Sequence, residues 1–170
     1  MKSNTKVLFL AAEADPFVKV GGLGDVAGSL PLALKDACNL DVRLVMPFHG
    51  AIQRKAFPIK RIAGFEVLKP GKPIRAEAFQ TDLHGLPVYL IGGALIPPNA
   101  PVYTADPSVD GHKFTFFSLA ALELVRCLDW APDLVHANDW HTAMAVYALS
   151  LRRDQDEFFQ DTATLMGVHN

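Results

Sequence analysis

One junction near the start of the chain constrains the fold more than any other stretch. An apolar run over residues 7–12 has the length and composition of a buried β-strand. A glycine-rich segment, KVGGLGDV at residues 19–26, then leads into a helical pattern of apolar residues. Such a junction gathers backbone N–H groups, the positive end of a helix dipole and the ammonium of Lys19. It predicts an anion site, and the alternative is a tight turn without a ligand.

The same segment also fits, formally, the dinucleotide fingerprint G-x-G-x-x-G/A, at Gly22, Gly24 and Ala27. In that fingerprint the first glycine directly follows the first strand, and an acidic residue ends the second strand. Here residues 13–21 intervene, and the only acid of the second predicted strand, Asp41, lies at its beginning. A nicotinamide cofactor is therefore not expected.

Composition favours a single domain that handles small molecules. The 170 residues, half of them apolar, are enough for one well-buried domain over residues 1–170. The net charge of −2, with no basic stripe, argues against nucleic acid or a membrane surface as a partner. Cys38 and Cys127 lie in apolar helical patterns, so reduced core thiols are expected. With no signal peptide and no apolar run of membrane-spanning length, a cytoplasmic protein is expected.

Strands alternate with helices over much of the chain, which predicts an α/β fold with a parallel, doubly wound sheet. The periodic apolar segments that predict strands after the first are residues 41–46, 60–68, 74–80, 87–91, 134–137 and 163–168. Three of these, between residues 60 and 91, are separated by turn residues at 69–73 and 84–85, which predicts a hairpin followed by a further strand.

The middle of the chain departs from this alternation. Residues 92–110 hold four prolines and little periodicity, which predicts a long loop and, near the site, a mobile flap. A helical pattern resumes over residues 113–128, and its aromatic stripe predicts core packing rather than a cofactor site. A further helix is expected over residues 142–153.

Two polar loops follow predicted strands, and ligands of open parallel sheets bind outside the carboxyl ends of the strands. Loops 13–24 and 138–141 are therefore expected at the same edge of the sheet. The candidate site residues are Lys19, Gly21, Gly22, Asp25 and His141.

Three further residues of the second loop and its strand have competing interpretations. Asn138 and Asp139 either bind a ligand or cap the following helix. His136 is expected to be hydrogen-bonded in the core.

Other chemistries find little support. No nucleophile elbow or Ser/His/Asp arrangement is present, so acyl hydrolysis is not indicated. His136 and His141 flank Asp139, but no third clustered ligand or HExxH pattern accompanies them, and neither a metal nor another cofactor is expected. Three isolated histidines are expected in solvent: His49, His84 and His112.

The KVGGLGDV segment closely resembles the K-x-G-G-L-[GA]-D-V signature of bacterial glycogen synthases and plant starch synthases. HANDWH at residues 136–141 resembles the family's H-A-[HN]-D-W-H segment, and VHN at 168–170 resembles its [TV]-H-N strand end. Residues 114–123 resemble the helix that follows its D-N-x-x-R-F motif. In place of that motif the chain has VDGHKF at 109–114, so Asp110 is one position closer to the phenylalanine.

The resemblance extends over essentially the whole chain. It implies a retaining glycosyltransferase of the GT-B type, with two Rossmann-like domains, that transfers glucose from ADP-glucose to the non-reducing end of an α-1,4-glucan (glycogen or starch) without a metal. This chain would be its N-terminal, acceptor-side part. The C-terminal nucleotide-binding domain would be absent, and the fragment alone would be inactive. A plant member would be located in the plastid, although no transit peptide is present.

The resemblance also implies roles for individual residues. Lys19 would neutralise the donor phosphates, and the backbone at Gly21 and Gly22 would approach the diphosphate. His141 would contact the transferred glucose. Asp25 would order the loop or bind sugar or acceptor groups. The role of Asp110 as a further catalytic residue depends on the shifted motif.

Two other readings remain open on the sequence. The chain could be a stand-alone module that binds a glucan or a nucleotide sugar, or part of another two-domain sugar-nucleotide transferase, such as a sucrose-type enzyme. The residues of this chain do not decide between ADP-glucose and UDP-glucose as the donor.

Overall fold

The computed structural model describes residues 4–68 and 72–169, which form an α/β fold. The strands of the described part are β1 (Lys6–Leu10), β2 (Asp41–Pro47), β3 (Lys60–Val67), β4 (Ile74–Leu83), β5 (Leu86–Gly93), β6 (Leu134–Asn138) and β7 (Ala163–Gly167). Its helices are α1 (Gly22–Cys38), α2 (Pro107–Cys127) and α3 (Ala143–Arg152), with a 3₁₀ turn over Trp140–Thr142.

The strands form one sheet in the order β3-β4-β5-β2-β1-β6-β7. The five neighbouring strands β5-β2-β1-β6-β7 are all parallel to one another. By contrast, β4 pairs antiparallel with both β3 and β5. The sequence prediction of a Rossmann-like parallel sheet is confirmed for its main part. The predicted hairpin joins the same sheet and makes it mixed. The part of its turn predicted at residues 69–71 lies outside the described residues.

Helices cover both faces of the sheet. Within β1, Val7 and Phe9 belong to one buried cluster, and Leu8 and Leu10 belong to the other. Helix α1 packs on the first face, against β2 and β5, and α2 and α3 pack on the second. This alternation follows from the two-residue period of a strand, which sends successive side chains to opposite faces.

Helix α2 begins six residues before the start that the apolar pattern predicts. Pro107 stands at the first helical position, and the carboxylate of Asp106 accepts a hydrogen bond of 2.8 Å from the N–H of Ser108. Proline and an aspartate cap are ordinary signals of a helix start. The loop expected over residues 92–110 is correspondingly shorter.

The mobile flap expected in this loop is not supported by its packing. Ile96, Ala100 and Val102 are buried, and the N–H of Ala100 donates to the carbonyl of Pro97. The segment does approach the candidate site, but it does so as part of the packed core.

Three expectations about single residues are wrong. Cys38 and Cys127 are exposed at the ends of α1 and α2 rather than buried in the core, and both are free thiols. His49 is fully buried rather than solvated, and its Nε2 lies 2.8 Å from the carbonyl oxygen of Ala12.

The aromatic stripe of α2 does pack in the core as predicted, because Phe114 and Phe117 are buried. No helix in residues 4–68 or 72–169 has the length and apolar character needed to cross a membrane.

Candidate functional site

The site lies where the chain reverses its winding direction. From β1 the chain passes through α1 to β2 on one side, whereas β6 is followed by β7 on the other side, and β1 and β6 are parallel neighbours. Open α/β sheets bind ligands at this kind of switch point, outside the carboxyl ends of the strands. The loops that follow β1 and β6 meet there, as the sequence predicts.

A cavity of about 410 Å³ opens between these loops. Of the sequence-predicted site residues, Gly21, Gly22, Asp139 and His141 line it. The other lining residues are Glu13, Val20, Leu23, Val26, Tyr103 and His169. A smaller apolar cavity of about 240 Å³, between α2 and the β3–β4 hairpin, is lined by none of the predicted site residues.

The glycine-rich loop is held by a carboxylate of the chain itself. Glu13 accepts hydrogen bonds from the N–H of Val20 and from the N–H of Gly21, the latter at 3.2 Å. These two N–H groups of the loop are therefore already paired within the chain. As the first residues of α1, Gly22 and Leu23 have N–H groups without an intrahelical acceptor. Those two groups remain for a ligand.

Lys19 and Asp25 pair with each other at the edge of the cavity. The ammonium lies 2.5 Å from the carboxylate, and both side chains are largely exposed. The stem of Lys19 packs on Gly24, where an added Cβ would come within 2.9 Å of the lysine Cγ. The hydrogen bond to Asp25 raises the pKa of Lys19. Exposed pairs are weak, so an anionic ligand can replace the carboxylate as the partner of Lys19.

His141 forms the aromatic wall of the cavity. Its ring centroid lies 4.2 Å from that of Trp140, 4.6 Å from that of Phe114 and 5.2 Å from that of Tyr103. Its backbone carbonyl accepts a hydrogen bond from Ser118, which ties it to α2. Burial lowers the pKa of His141 to about 4, so the imidazole is neutral at pH 7. Its buried Nδ1 has no partner among the described residues.

Asn138 and Asp139 differ in position and in role, and neither side chain caps the 3₁₀ turn that follows. Asn138 is fully buried, and its amide donates a 2.9 Å hydrogen bond to the carbonyl of Leu10, which joins β6 to β1. Asp139 lines the cavity, and its carboxylate accepts a 2.7 Å hydrogen bond from the N–H of His169. Its φ of 57° and ψ of 178° form a combination that is almost confined to glycine. This backbone strain thus lies at a residue of the cavity wall.

Asp110 lies outside the cavity wall. Its carboxylate accepts a 2.7 Å hydrogen bond from Lys113 and a 2.9 Å hydrogen bond from the N–H of Thr104, and the ion pair is buried. Lys113 in turn donates to the carbonyl of Val102 at 2.8 Å. The pair therefore anchors the segment that carries Tyr103.

Sequence reasoning missed Glu13 and Tyr103. Glu13 had a usable signal, because it is an acid placed three residues after a buried strand. Tyr103 lies among prolines without periodicity and had none. His136 is half-buried, and its ring makes an edge contact with Phe9, at 4.6 Å between centroids. Within the described residues, no cluster of three or more His, Cys, Asp or Glu side chains is placed to hold a metal ion.

Comparisons with known proteins find relatives over nearly the whole chain. A family model described as the starch synthase catalytic domain matches residues 6–170. The glycogen synthase of Aeromonas salmonicida is 37% identical over 169 residues, which cover 97% of this chain and 35% of that protein. The glycogen synthase of Thermotoga petrophila is 39% identical over 173 residues, with the same coverage of both proteins.

A solved structure supports the fold. The catalytic domain of starch synthase IV from Arabidopsis thaliana, bound to ADP and acarbose, superimposes with a TM-score of 0.85 at 28% identity. The match covers 99% of this chain and 34% of that one. The chain thus spans about a third of the length of the relatives that it matches.

Proposed function

The chain belongs to the starch synthase catalytic domain family, and from this premise we propose that it forms the N-terminal, acceptor-side part of a glycogen or starch synthase. The full-length protein would transfer glucose from ADP-glucose to the non-reducing end of an α-1,4-glucan, with retention. The observation that carries the proposal is the cavity at the switch point, which joins the start of α1 to the neutral imidazole of His141.

The start of α1 suits the donor diphosphate. The N–H groups of Gly22 and Leu23 and the positive end of the helix dipole favour an anion there. Lys19, once released from Asp25, would add its charge as the diphosphate leaves. Before the donor binds, the ion pair with Asp25 would hold Lys19 close to the loop.

The opposite wall suits the glucosyl group. A neutral His141 can form a hydrogen bond with a sugar hydroxyl. Because it carries no positive charge, it would not repel an oxocarbenium-like sugar. Asp139 offers carboxylate oxygens on the same wall. Catalysis would then depend on positioning and charge stabilisation rather than on a side-chain nucleophile. Asn138 and Asp110 would act through the backbone segments that they hold.

The remaining two thirds of the family's length would complete the donor site. A donor cleft between two domains needs contacts from both, and closure excludes water from the reaction. We therefore propose that residues 1–170 alone do not transfer glucose. The exposed, free cysteines fit a reducing compartment such as the bacterial cytoplasm.

A second candidate is a stand-alone module that binds a glucan or a nucleotide sugar. The deciding experiment offers the full-length protein ADP-glucose or UDP-glucose with glycogen as the acceptor. Transfer from ADP-glucose at a clearly higher kcat/KM supports the synthase. Binding of donor or glycogen without transfer from either donor supports the module and overturns the synthase proposal.

A further inference from the structure

We propose that Glu13 is a positioning residue that sets which end of the cavity receives the diphosphate and which receives the sugar. This inference rests on the proposed function, because it concerns the same donor. By occupying the N–H groups of Val20 and Gly21, the carboxylate leaves only the start of α1 for the phosphates.

The first observation is the burial of a charge in the cavity wall. Glu13, three residues after the end of β1, is only 2% exposed and lines the cavity. None of the ion pairs found in residues 4–68 and 72–169 includes it. Its carboxylate is stabilised by hydrogen bonds from the N–H groups of Val20 and Gly21.

The second observation is the neighbouring phenol. Tyr103 lines the same cavity, and burial raises its pKa, with the nearby charge of Glu13 raising it further. The phenol therefore stays protonated at neutral pH and remains a hydrogen-bond donor. Glu13 and Tyr103 together place an acceptor and a donor on the cavity wall beside the loop N–H groups, which suits sugar hydroxyls.

Electrostatics then orders the donor along the wall. A diphosphate placed against Glu13 would meet a like charge in a partly buried site, where screening by water is reduced. Beyond Gly21 it meets the N–H groups of Gly22 and Leu23 and the charge of Lys19 instead. In this orientation the sugar, which develops positive charge in the transition state, lies next to the carboxylate.

A purely structural role for Glu13 predicts something different. If the carboxylate only braces the loop, its loss would loosen the start of α1 and weaken phosphate binding along with turnover. If it orders the donor, removing its charge lowers turnover while the affinity for the diphosphate stays the same or increases.

The experiment compares Glu13→Gln with Glu66→Gln in the full-length protein, because Glu66 is an exposed carboxylate of β3 on the hairpin. The measurements are kcat and KM with ADP-glucose and glycogen, the Kd of ADP by calorimetry, and the thermal unfolding temperature. For Glu13→Gln we expect kcat to fall about 100-fold, with ADP bound as tightly as by the wild type or more tightly. Glu66→Gln should match the wild type in all of them.

Glu13→Asp provides the second variant, since it keeps the charge and shortens the side chain. It should recover part of the lost kcat if charge placement matters. Equal losses in kcat and ADP affinity for Glu13→Gln, or an unchanged kcat, would overturn the inference. If Glu13→Gln does not fold, Glu13→Asp is compared with the wild type instead. A folded Glu13→Asp variant that binds ADP more weakly and also loses kcat would overturn the inference too. A wild type that binds ADP without transferring glucose refutes the proposed function, while the ADP affinities of the variants still test the role of Glu13.

Discussion

The ammonium of Lys19 lies 2.5 Å from the carboxylate of Asp25, six residues further along the chain and within the first turn of α1. Neither side chain lines the cavity, although the loop between them does. The cation expected to meet the donor phosphates is therefore already paired. Its recruitment by a diphosphate requires the exchange of one exposed partner for another, at little cost.

Lys19→Ala in the full-length protein should lower kcat about 100-fold, because a positioned charge acts most strongly as the diphosphate leaves. KM for the donor should change less than kcat. Lys55→Ala, which removes an exposed lysine distant in the sequence, is the control. A kcat within twofold of the wild type in a folded Lys19→Ala variant would make Lys19 a solvated loop residue.

The pH profile of kcat/KM should reflect the low pKa of the buried His141. Because burial lowers its pKa to about 4, the neutral imidazole persists down to that pH, and any acid limb caused by His141 should lie near pH 4 to 5. His141→Gln should lower kcat about 100-fold and remove that limb. An acid limb near pH 6.5 that disappears in the variant would contradict the neutral-imidazole assignment.

The strained backbone at Asp139 predicts an unusual order of stabilities. Asp139→Gly relieves a backbone cost of about 1 to 3 kcal/mol and loses one hydrogen bond of about 1 kcal/mol, so it should be close to the wild type in stability. Asp139→Ala loses the bond and keeps the strain, so it should be less stable than the glycine variant by about 1 to 3 kcal/mol. Denaturant unfolding measures both. A more stable alanine variant would argue against backbone strain.

The buried pair of Asp110 and Lys113 should matter for stability more than for chemistry. Asp110→Ala leaves a buried ammonium without its carboxylate, which should cost about 3 to 5 kcal/mol in the free energy of unfolding. Asp106→Ala removes the exposed cap of the same helix and should cause a clearly smaller loss. If Asp110→Ala unfolds like the wild type but loses kcat, Asp110 acts in the reaction itself.

His49 should make the stability depend on pH. Burial lowers its pKa in the folded state to about 4, against 6.5 when exposed, so between these values the unfolded chain binds more protons. The contribution of the neutral His49 to the free energy of unfolding is fully present above pH 6.5. It is lost as the pH falls toward 4, and the total loss is about 3 kcal/mol. As the pH is lowered from 8 to 4, the thermal unfolding temperature should therefore fall more steeply in the wild type than in His49→Gln. His112→Gln, at an exposed site, should follow the wild type.

Much of the fold is legible in the sequence because it depends on local periodicity. Strand alternation and helical spacing predict β1, the hairpin, β6 and β7 to within a few residues. The start of α2 at Pro107 was also legible in principle, since its cap and proline lie in adjacent positions. The apolar pattern alone obscured it.

The site divides in the same way. The sequence by itself determined that a glycine-rich helix start and a histidine-bearing loop both follow parallel strands, and this places Gly21 and His141 on one cavity. Only the tertiary structure decided how the polar groups are used. It gives Glu13 the loop N–H groups, buries His49 against Ala12, and ties Asn138 to Leu10 across 128 residues of sequence. Partners so distant in the chain leave no periodic signal, because they are selected by burial and by the need to satisfy polar groups in the folded core.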